Sequence, residues 1–397
     1  MEGLRVAAAL LLLLFAAPPS EAWGYVDIRQ GAHMFWWLYY ANGSAGSYKE
    51  LPLVMWLQGG PGGSSCGFGN FEEIGPLDRD LKPRNTTWVQ AASVLFVDNP
   101  VGTGFSYTDT EEALARDVAT VAADMMVLLS NFFGSKTEFQ GTPFYIFSES
   151  YGGKMAAAIA MELTEVLSDS VLTWGPYLYS TSLLDDNGLG EVTMAAKAVQ
   201  QAVNEGNFQK ATELWSDTES VVKQNTNGVN FYNILTQDSD DKVTSVEGAG
   251  HLALLTHRHI RPLHRQSLDR LMNGPIRKKL GIIPQNVTWG GQAYEVFSSM
   301  EGDFMKPVID IVDQLLAAGV NVTVYNGQLD LIVDTIGQEL WVKKLKWAGL
   351  PHFNLLKWMP LDDPANPGQT GAFYKIYENF TFYWILRAGH MVRASKS

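Results

Sequence analysis

Cysteine is almost absent from this sequence of 397 residues, which contains Cys66 and no other. Small secreted scaffolds that depend on disulfides need several cysteines, so that class of protein is excluded. We interpret Cys66 as a small buried residue in a tight turn, because no general base can be assigned to it. Hydrophobic residues make up 46% of the chain, which is enough to form a core without disulfides.

Basic residues are scarce too: 29 Lys and Arg stand against 42 Asp and Glu, for a net charge of −13. Because phosphate backbones are bound by clustered Lys and Arg, we predict no nucleic-acid partner. His257 and His259 have no carboxylate or cysteine at ligand spacing, so no metal site is predicted. The glycine-rich turn at 59–63 lacks the Gly-Lys-Ser/Thr ending of a phosphate loop, and no other cofactor is indicated.

Long hydrophobic runs are also lacking. Only the 12 residues at 6–17 form one, and a membrane span needs about 20. Arg5 precedes the run, and the small residues Ser20 and Ala22 follow it, which is typical of a signal peptide of residues 1–22 cleaved near Ala22. A membrane anchor is the less favoured alternative. We therefore expect a soluble protein of the secretory pathway, secreted or lysosomal.

Asn-x-Ser/Thr triplets for N-glycosylation fit that compartment. They stand at Asn42, Asn85, Asn286, Asn321 and Asn379. Such triplets also arise by chance, so we expect some of them to be unused.

Short apolar runs bounded by turn residues alternate with a helical pattern along the chain. Buried strands are predicted at 51–58, 94–98, 144–147 and 320–325, and a helix at 111–133. This alternation predicts an α/β fold with a mostly parallel central sheet covered by helices on both faces. In such sheets the chemistry lies at the carboxyl ends of the strands.

Residues 182–280 differ from the rest in their higher charge density and helical periodicity. Helices are predicted at 191–204, 208–224 and 251–272. We interpret this stretch as a helical insertion, or cap, within a single domain of residues 23–397.

Ser150 follows the third predicted strand in the sequence Ser148-Glu149-Ser150-Tyr151-Gly152. Small residues two before and two after a serine are typical of a nucleophile elbow, the sharp strand-to-helix turn that exposes a hydroxyl. A serine that merely caps the helix is the alternative. If Ser150 is a nucleophile, the helix amino terminus behind it can stabilise an oxyanion.

An acid and a histidine follow Ser150 in the order that this architecture requires. Asp330 stands just after the strand predicted at 320–325, and His390 lies in a loop after the aromatic run at 380–386. The glycine-rich turn after the first strand supplies a second oxyanion donor. The histidines of the insertion are worse placed and receive no catalytic role.

With these residues in place, the sequence resembles the serine carboxypeptidases of the α/β-hydrolase fold. The matching blocks extend over most of the chain after residue 55: WLQGGPGGSS at 56–65, FEEIGPL at 71–77, FVDNPVGTGFSY at 96–107, FSESYGG at 147–153, NGPIRKKL at 273–280, NGQLDLIVD at 326–334 and AGHMV at 388–392.

The resemblance implies hydrolysis of the last peptide bond of a peptide or protein substrate. It makes Ser150 the nucleophile, His390 the base and Asp330 its orienting acid, with Gly60 and Tyr151 as oxyanion donors. It also implies that the substrate's terminal carboxylate is recognised by four residues, Trp56, Gln58 (usually Asn in the family), Glu73 and Glu149. Because two adjacent glutamates cannot both ionise cheaply, an acidic working pH follows.

Two departures from the family pattern are evident. The strand that normally follows the helix after Ser150 is missing, since residues 162–167 lead almost directly to 171–179. The chain also stops seven residues past His390, without the family's closing helix. These gaps suggest a variant, and they leave open a catalytically impaired, binding-only glycoprotein beside the active carboxypeptidase. An esterase or acyltransferase of the same fold is a further alternative, and the oligomeric state is not readable from the sequence.

Overall fold

The computed structural model describes residues 20–43, 48–161, 167–238, 250–306 and 309–392. Most of the predicted signal peptide therefore lies outside the described residues. Glu21 and Ala22, at its predicted end, pair with Tyr39 and Leu38 in the uncleaved chain. The cleavage site stays a prediction.

The first half of the chain forms a mixed sheet in the order β1-β2-β4-β3-β6, with β5 beside β2. Its parallel part, β4-β3-β6, consists of the strands expected from the apolar runs, and antiparallel β1 and β2 extend it. The strands are β1 (Glu21–Arg29), β2 (Ala32–Tyr39), β3 (Leu53–Leu57), β4 (Ser93–Val97), β5 (Tyr107–Thr108) and β6 (Phe144–Ser148).

A separate sheet in the order β7-β10-β9-β8 follows near the end of the chain. Here β7 and β10 are parallel, whereas β9 and β8 are added antiparallel. The predicted parallel strands are present, and antiparallel strands flank them in both sheets, so the sheets are mixed. The strands are β7 (Val322–Gly327), β8 (Met359–Asp362), β9 (Thr370–Tyr377) and β10 (Phe380–Ile385).

The sheet is interrupted between β6 and β7, and we call the space between these two strands the slot. Each of these strands is the edge of its own sheet, and no strand among the described residues lies between them. The described residues thus agree with the prediction of a missing strand, whereas residues 162–166 lie outside them. Residues 171–174 do not fill the slot as a strand, because they belong to a helix in which Val171 and Trp174 are buried.

Thirteen α-helices occur in the described ranges. They are α1 (Val118–Ser135), α2 (Tyr151–Met161), α3 (Leu167–Ser180), α4 (Asp186–Asn204), α5 (Phe208–Asn225), α6 (His251–Leu255), α7 (Gln266–Leu271), α8 (Arg277–Leu280), α9 (Ala293–Ser299), α10 (Glu301–Phe304), α11 (Ile309–Ala317), α12 (Thr335–Val342) and α13 (Leu350–Leu355).

Two of the predicted helices differ from the observed ones. The helix expected at 111–133 begins only at Val118, where Asp117 caps it by accepting a hydrogen bond from the backbone N–H of Thr120. The helix expected at 251–272 is broken into short segments, because Pro262 has no backbone N–H to continue it. The helical character of the insertion itself is as expected.

Helix α1 has the length and hydropathy of a membrane span, but 44% of it is buried inside the fold. Its buried face includes Val121, Met125, Leu128 and Phe132, which belong to the same core as β2 and β3. An amphipathic helix packed on a sheet in this way is typical of a core helix.

The two sheets have separate cores. The second sheet packs around Trp341, Phe353, Phe380 and Phe382, apart from the larger clusters on the first sheet. Across the slot, the hydroxyl of Tyr325 on β7 donates a hydrogen bond of 2.6 Å to the carbonyl of Ser148 on β6. The Tyr325 side chain therefore joins β7 to β6, which in a continuous sheet would be joined through the backbone hydrogen bonds of a strand between them.

We expect Tyr325→Phe to lower the free energy of unfolding by about 1 kcal/mol, because it leaves the Ser148 carbonyl without its partner. Urea denaturation measures the change. Tyr383→Phe is the matched control, since the Tyr383 hydroxyl makes no hydrogen bond to another described residue. Equal midpoints for both variants would show that the bond across the slot adds nothing to stability.

Candidate active site

Ser150 lies on the turn between β6 and α2 with a backbone φ of 58°, in the left-handed region that a serine rarely adopts. The turn is tight because Gly152 passes the end of β3: a Cβ there would lie 2.4 Å from the carbonyl oxygen of Leu57. The backbone N–H of Glu149 donates to that same oxygen at 3.1 Å. This geometry is that of the nucleophile elbow predicted from the sequence, and the alternative of a simple capping serine does not explain the strained φ.

Asp330 and His390 meet because β7 and β10 are parallel neighbours whose carboxyl ends share one edge of the second sheet. Nδ1 of His390 lies 2.8 Å from Oδ2 of Asp330, and both side chains are almost fully buried. The other carboxylate oxygen of Asp330 accepts a hydrogen bond from the backbone N–H of Val333. The structure thus brings together the two residues that the sequence order pairs, and their catalytic roles stay a prediction.

Ser150 and His390 line one cavity, but they are not hydrogen-bonded to each other. Nε2 of His390 is buried and has no hydrogen-bond partner among the described residues. The slot between the sheets is the physical reason, since Ser150 follows β6 whereas Asp330 and His390 follow β7 and β10.

The glycine-rich turn after β3 packs directly against the elbow. A Cβ on Gly59 would lie 2.7 Å from Cβ of Ser150 and 2.9 Å from the backbone N of Tyr151. Gly60 has a φ of 120° that favours glycine, and it lines the same cavity as Tyr151. The two predicted oxyanion donors, Gly60 and Tyr151, therefore lie beside Ser150.

The four residues predicted for carboxylate recognition form a buried chain beside Ser150. Nε1 of Trp56 donates to Oε1 of Gln58 at 2.9 Å, and Nε2 of Gln58 donates to Oε1 of Glu149 at 3.0 Å. Glu73 is fully buried, and its neighbours are the carboxyl of Glu149 and the side chain of Gln58.

Burial keeps this carboxyl pair from ionising fully. It raises the pKa of Glu73 to about 7, although the contact with Glu149 and the nearby His390 lower it. Burial and the neighbouring Glu73 raise the pKa of Glu149 well above its ordinary value. At neutral pH and below, the pair retains at least one proton that it can donate to an anionic ligand.

Aromatic residues that sequence reasoning misses line the cavity. They are Trp215, Tyr232 and His259 of the cap and Phe304 of α10, together with Ser150 and His390. The cavity has a volume of about 20 Å³, which is close to what one water needs. A peptide terminus therefore requires these aromatic side chains to move. No local motif distinguishes His259 in the sequence.

Cys66 is fully buried, and burial raises the pKa of its thiol well above the ordinary value. Its Sγ donates toward the carbonyl of Phe96. The interpretation of a buried packing residue is confirmed. In the described ranges, no group of three or more His, Cys, Asp or Glu side chains is arranged to hold a metal ion.

Four of the five glycosylation candidates, Asn42, Asn85, Asn286 and Asn321, are exposed. Asn379 differs because its amide donates to the carbonyls of Leu316 and Val320 at 3.0 and 2.8 Å. A glycan on that nitrogen would replace at least one of these bonds. Glycosylation at these sites stays a prediction, with some of them expected to be unused.

The fold is an α/β-hydrolase fold. The structure is similar to the crystal structure of Kex1ΔP, a prohormone-processing carboxypeptidase from Saccharomyces cerevisiae, with a TM-score of 0.75 and 21% sequence identity. The similarity covers 95% of this chain and 88% of the Kex1ΔP chain.

The protein belongs to the serine carboxypeptidase family, peptidase S10, whose sequence model matches residues 15–170 and 166–397. The two matched segments meet where the expected strand is missing. The chain is 61% identical to the retinoid-inducible serine carboxypeptidases of Mus musculus and Homo sapiens, over 94% of its length and 88% of theirs. It is 41% identical to serine carboxypeptidase-like 51 of Arabidopsis thaliana, over 94% of its own length and 88% of that protein.

The raised pKa of Glu73 predicts how stability depends on pH. A carboxyl whose pKa is higher in the folded than in the unfolded protein stabilises the fold at low pH, and this contribution is lost as the pH rises through the folded value. Between about pH 4.5 and pH 7, the free energy of unfolding of the wild type should fall relative to that of Glu73→Gln, by up to about 1.4 kcal/mol per pH unit.

Urea denaturation of both proteins at several pH values measures this difference. Asp98 is also buried, at another place in the fold, and has a pKa raised to about 6. Its contribution to the pH dependence of stability is the same in both proteins, so it cancels in the difference between them. If the difference in free energy of unfolding between wild type and Glu73→Gln were constant from about pH 4.5 to pH 7, the prediction would be contradicted.

Proposed function

We propose that this chain removes the carboxyl-terminal residue from peptides through an acyl-enzyme on Ser150. The observation that carries the proposal is the buried pair Glu73 and Glu149, which lies next to a nucleophile elbow. A neutral carboxyl and the amide of Gln58 are the donors that a substrate's terminal carboxylate needs in a site closed to water. An esterase site has no use for such a pair.

In the proposed reaction, Oγ of Ser150 attacks the carbonyl of the last peptide bond while Nε2 of His390 accepts its proton. Asp330 fixes the tautomer that leaves Nε2 free, and the backbone N–H groups of Gly60 and Tyr151 stabilise the oxyanion. His390 then returns the proton to the leaving amino acid, and water hydrolyses the acyl-enzyme by the same steps.

The open distance between Ser150 and His390 does not contradict these roles. Catalytic hydrogen bonds are often long in ligand-free enzymes and tighten in the complex with substrate. The relatives give no support to the alternative of a catalytically impaired glycoprotein. We further propose that the protein is secreted or lysosomal, in keeping with the signal-peptide pattern and the exposed sequons.

Treatment with a fluorophosphonate probe tests the nucleophile. We expect labelling of the wild type and none of Ser150→Ala, because the probe reacts only with an activated serine. Ser65→Ala is a control at a buried serine that serves the fold by accepting from the backbone N–H of Gln58. Labelling that persists in Ser150→Ala would disprove the assignment.

Peptides with free and amidated carboxyl termini separate the candidate activities. A carboxypeptidase should release the last residue from the free peptide at least tenfold faster, since an amide cannot pair with the carboxyl pair as a carboxylate does. Equal rates would favour the esterase or acyltransferase alternative.

The pH dependence of KM tests the carboxyl pair. As the pH rises above about 7, the pair loses the proton that it donates to the substrate carboxylate, so KM should rise. Glu149→Gln retains a neutral donor at all pH values and should show a smaller rise. Identical KM profiles for the two proteins would refute this role of Glu149.

A further inference from the structure

Tyr232 contacts the proposed base, His390, in two ways. Its backbone carbonyl accepts a hydrogen bond of 2.8 Å from the backbone N–H of His390. Its ring packs edge-on against the imidazole, with 5.1 Å between the ring centroids. The loop of His390 follows β10 of the second sheet, so Tyr232 is the point at which the insertion holds that loop.

Tyr232 is itself held by the cap through its hydroxyl. Nδ1 of His259 lies 2.8 Å from the Tyr232 hydroxyl, and Nε2 of His259 lies 2.7 Å from Oε1 of Glu219 on α5. Nη1 of Arg258 pairs with the other oxygen of Glu219 at 3.0 Å. These four residues form a connected chain from the interior of the cap to the imidazole of His390, and we call them the cap network.

The cap network is buried, and its charges are paired within it. Glu219 is fully buried and His259 is 5% exposed. Burial raises the pKa of Glu219, but His259 and Arg258 outweigh this and hold it below the ordinary value, so that Glu219 is ionised. Burial raises the pKa of Tyr232, as do the surrounding carboxylates, so that its hydroxyl remains protonated. The carboxylates are Glu219, Glu149, Asp330 and Asp238.

A buried ion pair of this kind adds little to stability over well-packed apolar residues, because desolvation offsets most of the attraction. What a hydrogen-bonded network supplies is a fixed geometry. The side chain that it fixes here is the one that contacts His390, whose Nε2 has no partner of its own.

We propose that Tyr232 is a positioning residue for His390, held in place by the cap through His259 and Glu219. The inference rests on the proposed function, since it assigns a role in the activation of Ser150. It makes the helical insertion part of the catalytic apparatus, because the orientation of the base depends on a hydrogen bond inside the cap.

The test is Tyr232→Phe, which keeps the ring and the backbone carbonyl and removes only the hydroxyl bond to His259. We expect kcat to fall about fivefold to tenfold, which corresponds to the loss of one hydrogen bond, with KM changed less than twofold. The acid limb of the pH profile of kcat should move, because the orientation and surroundings of His390 change. If Tyr232 had only a structural role, Tyr232→Phe would lower kcat by the same factor at all pH values, and the shape of the pH profile would not change.

Two further variants make the result specific. His259→Gln removes the same bond from the other side, so the double variant with Tyr232→Phe should lose no more activity than His259→Gln alone. Tyr40→Phe removes a tyrosine hydroxyl bond of the same length, to Glu138 outside the site, and should leave kcat and the pH profile unchanged. The inference would be overturned if the losses of kcat in Tyr232→Phe and His259→Gln added up in the double variant. It would also be overturned if the acid limb of the kcat profile stayed in place in Tyr232→Phe.

NMR of the ¹⁵N-labelled histidines gives a readout that needs no turnover. The signal of His390, assigned by its disappearance in His390→Gln, should shift its titration or tautomer balance in Tyr232→Phe and not in Tyr40→Phe. An inactive wild type would refute the proposed function, and the NMR signal would still decide the role of Tyr232. An unchanged His390 signal in Tyr232→Phe would refute that role.

Discussion

The hydroxyl of Tyr325 connects the strand that precedes Ser150 to the strand that precedes Asp330. In a continuous parallel sheet, a strand between β6 and β7 would set their distance through two ladders of backbone hydrogen bonds. In the part of the chain that the structure describes, no strand fills the slot, and the side chain of Tyr325 reaches across it to the carbonyl of Ser148. The placement of Ser150 relative to His390, the separate core of the second sheet and the importance of the cap all depend on that interruption.

The carboxyl pair beside Ser150, Glu73 and Glu149, lies on the side of the slot that belongs to the first sheet. Trp56 and Gln58 come from the end of β3, and Glu149 from the elbow after β6, so these groups share one ladder of strands. The residues proposed for carboxylate binding and the proposed nucleophile, Ser150, thus lie on the first sheet, whereas the proposed base and its acid lie on the second. The proposed chemistry therefore depends on how the two sheets are held together.

Much of the site could be predicted from the sequence, because its residues stand at the ends of short apolar runs. Ser150, Asp330 and His390 each follow a strand, and the roles proposed for them rest on their order along the chain. The missing strand could also be predicted, because the family pattern has a strand where this chain has too few residues between α2 and the next apolar segment. The strand ends depend on local patterns, whereas the gap is recognised from the resemblance to the family.

Other features could not be predicted because they depend on contacts between distant segments. Tyr232 and His259 lie 27 residues apart and meet only when the cap folds. The antiparallel β1 and β2 show no simple alternation, because most of β2 is buried on both faces. The break at Pro262 was visible in the sequence, but helical periodicity on both sides of it favoured one long helix.

The slot has a consequence for the protein in solution. Neither β6 nor β7 is hydrogen-bonded along its outer edge to another strand of the described chain, and Tyr145 on β6 is half exposed. Open edges of this kind are templates on which another extended chain can add a strand, and natural proteins normally cover them, charge them or close them. We therefore expect self-association through these edges to compete with folding as the protein concentration rises.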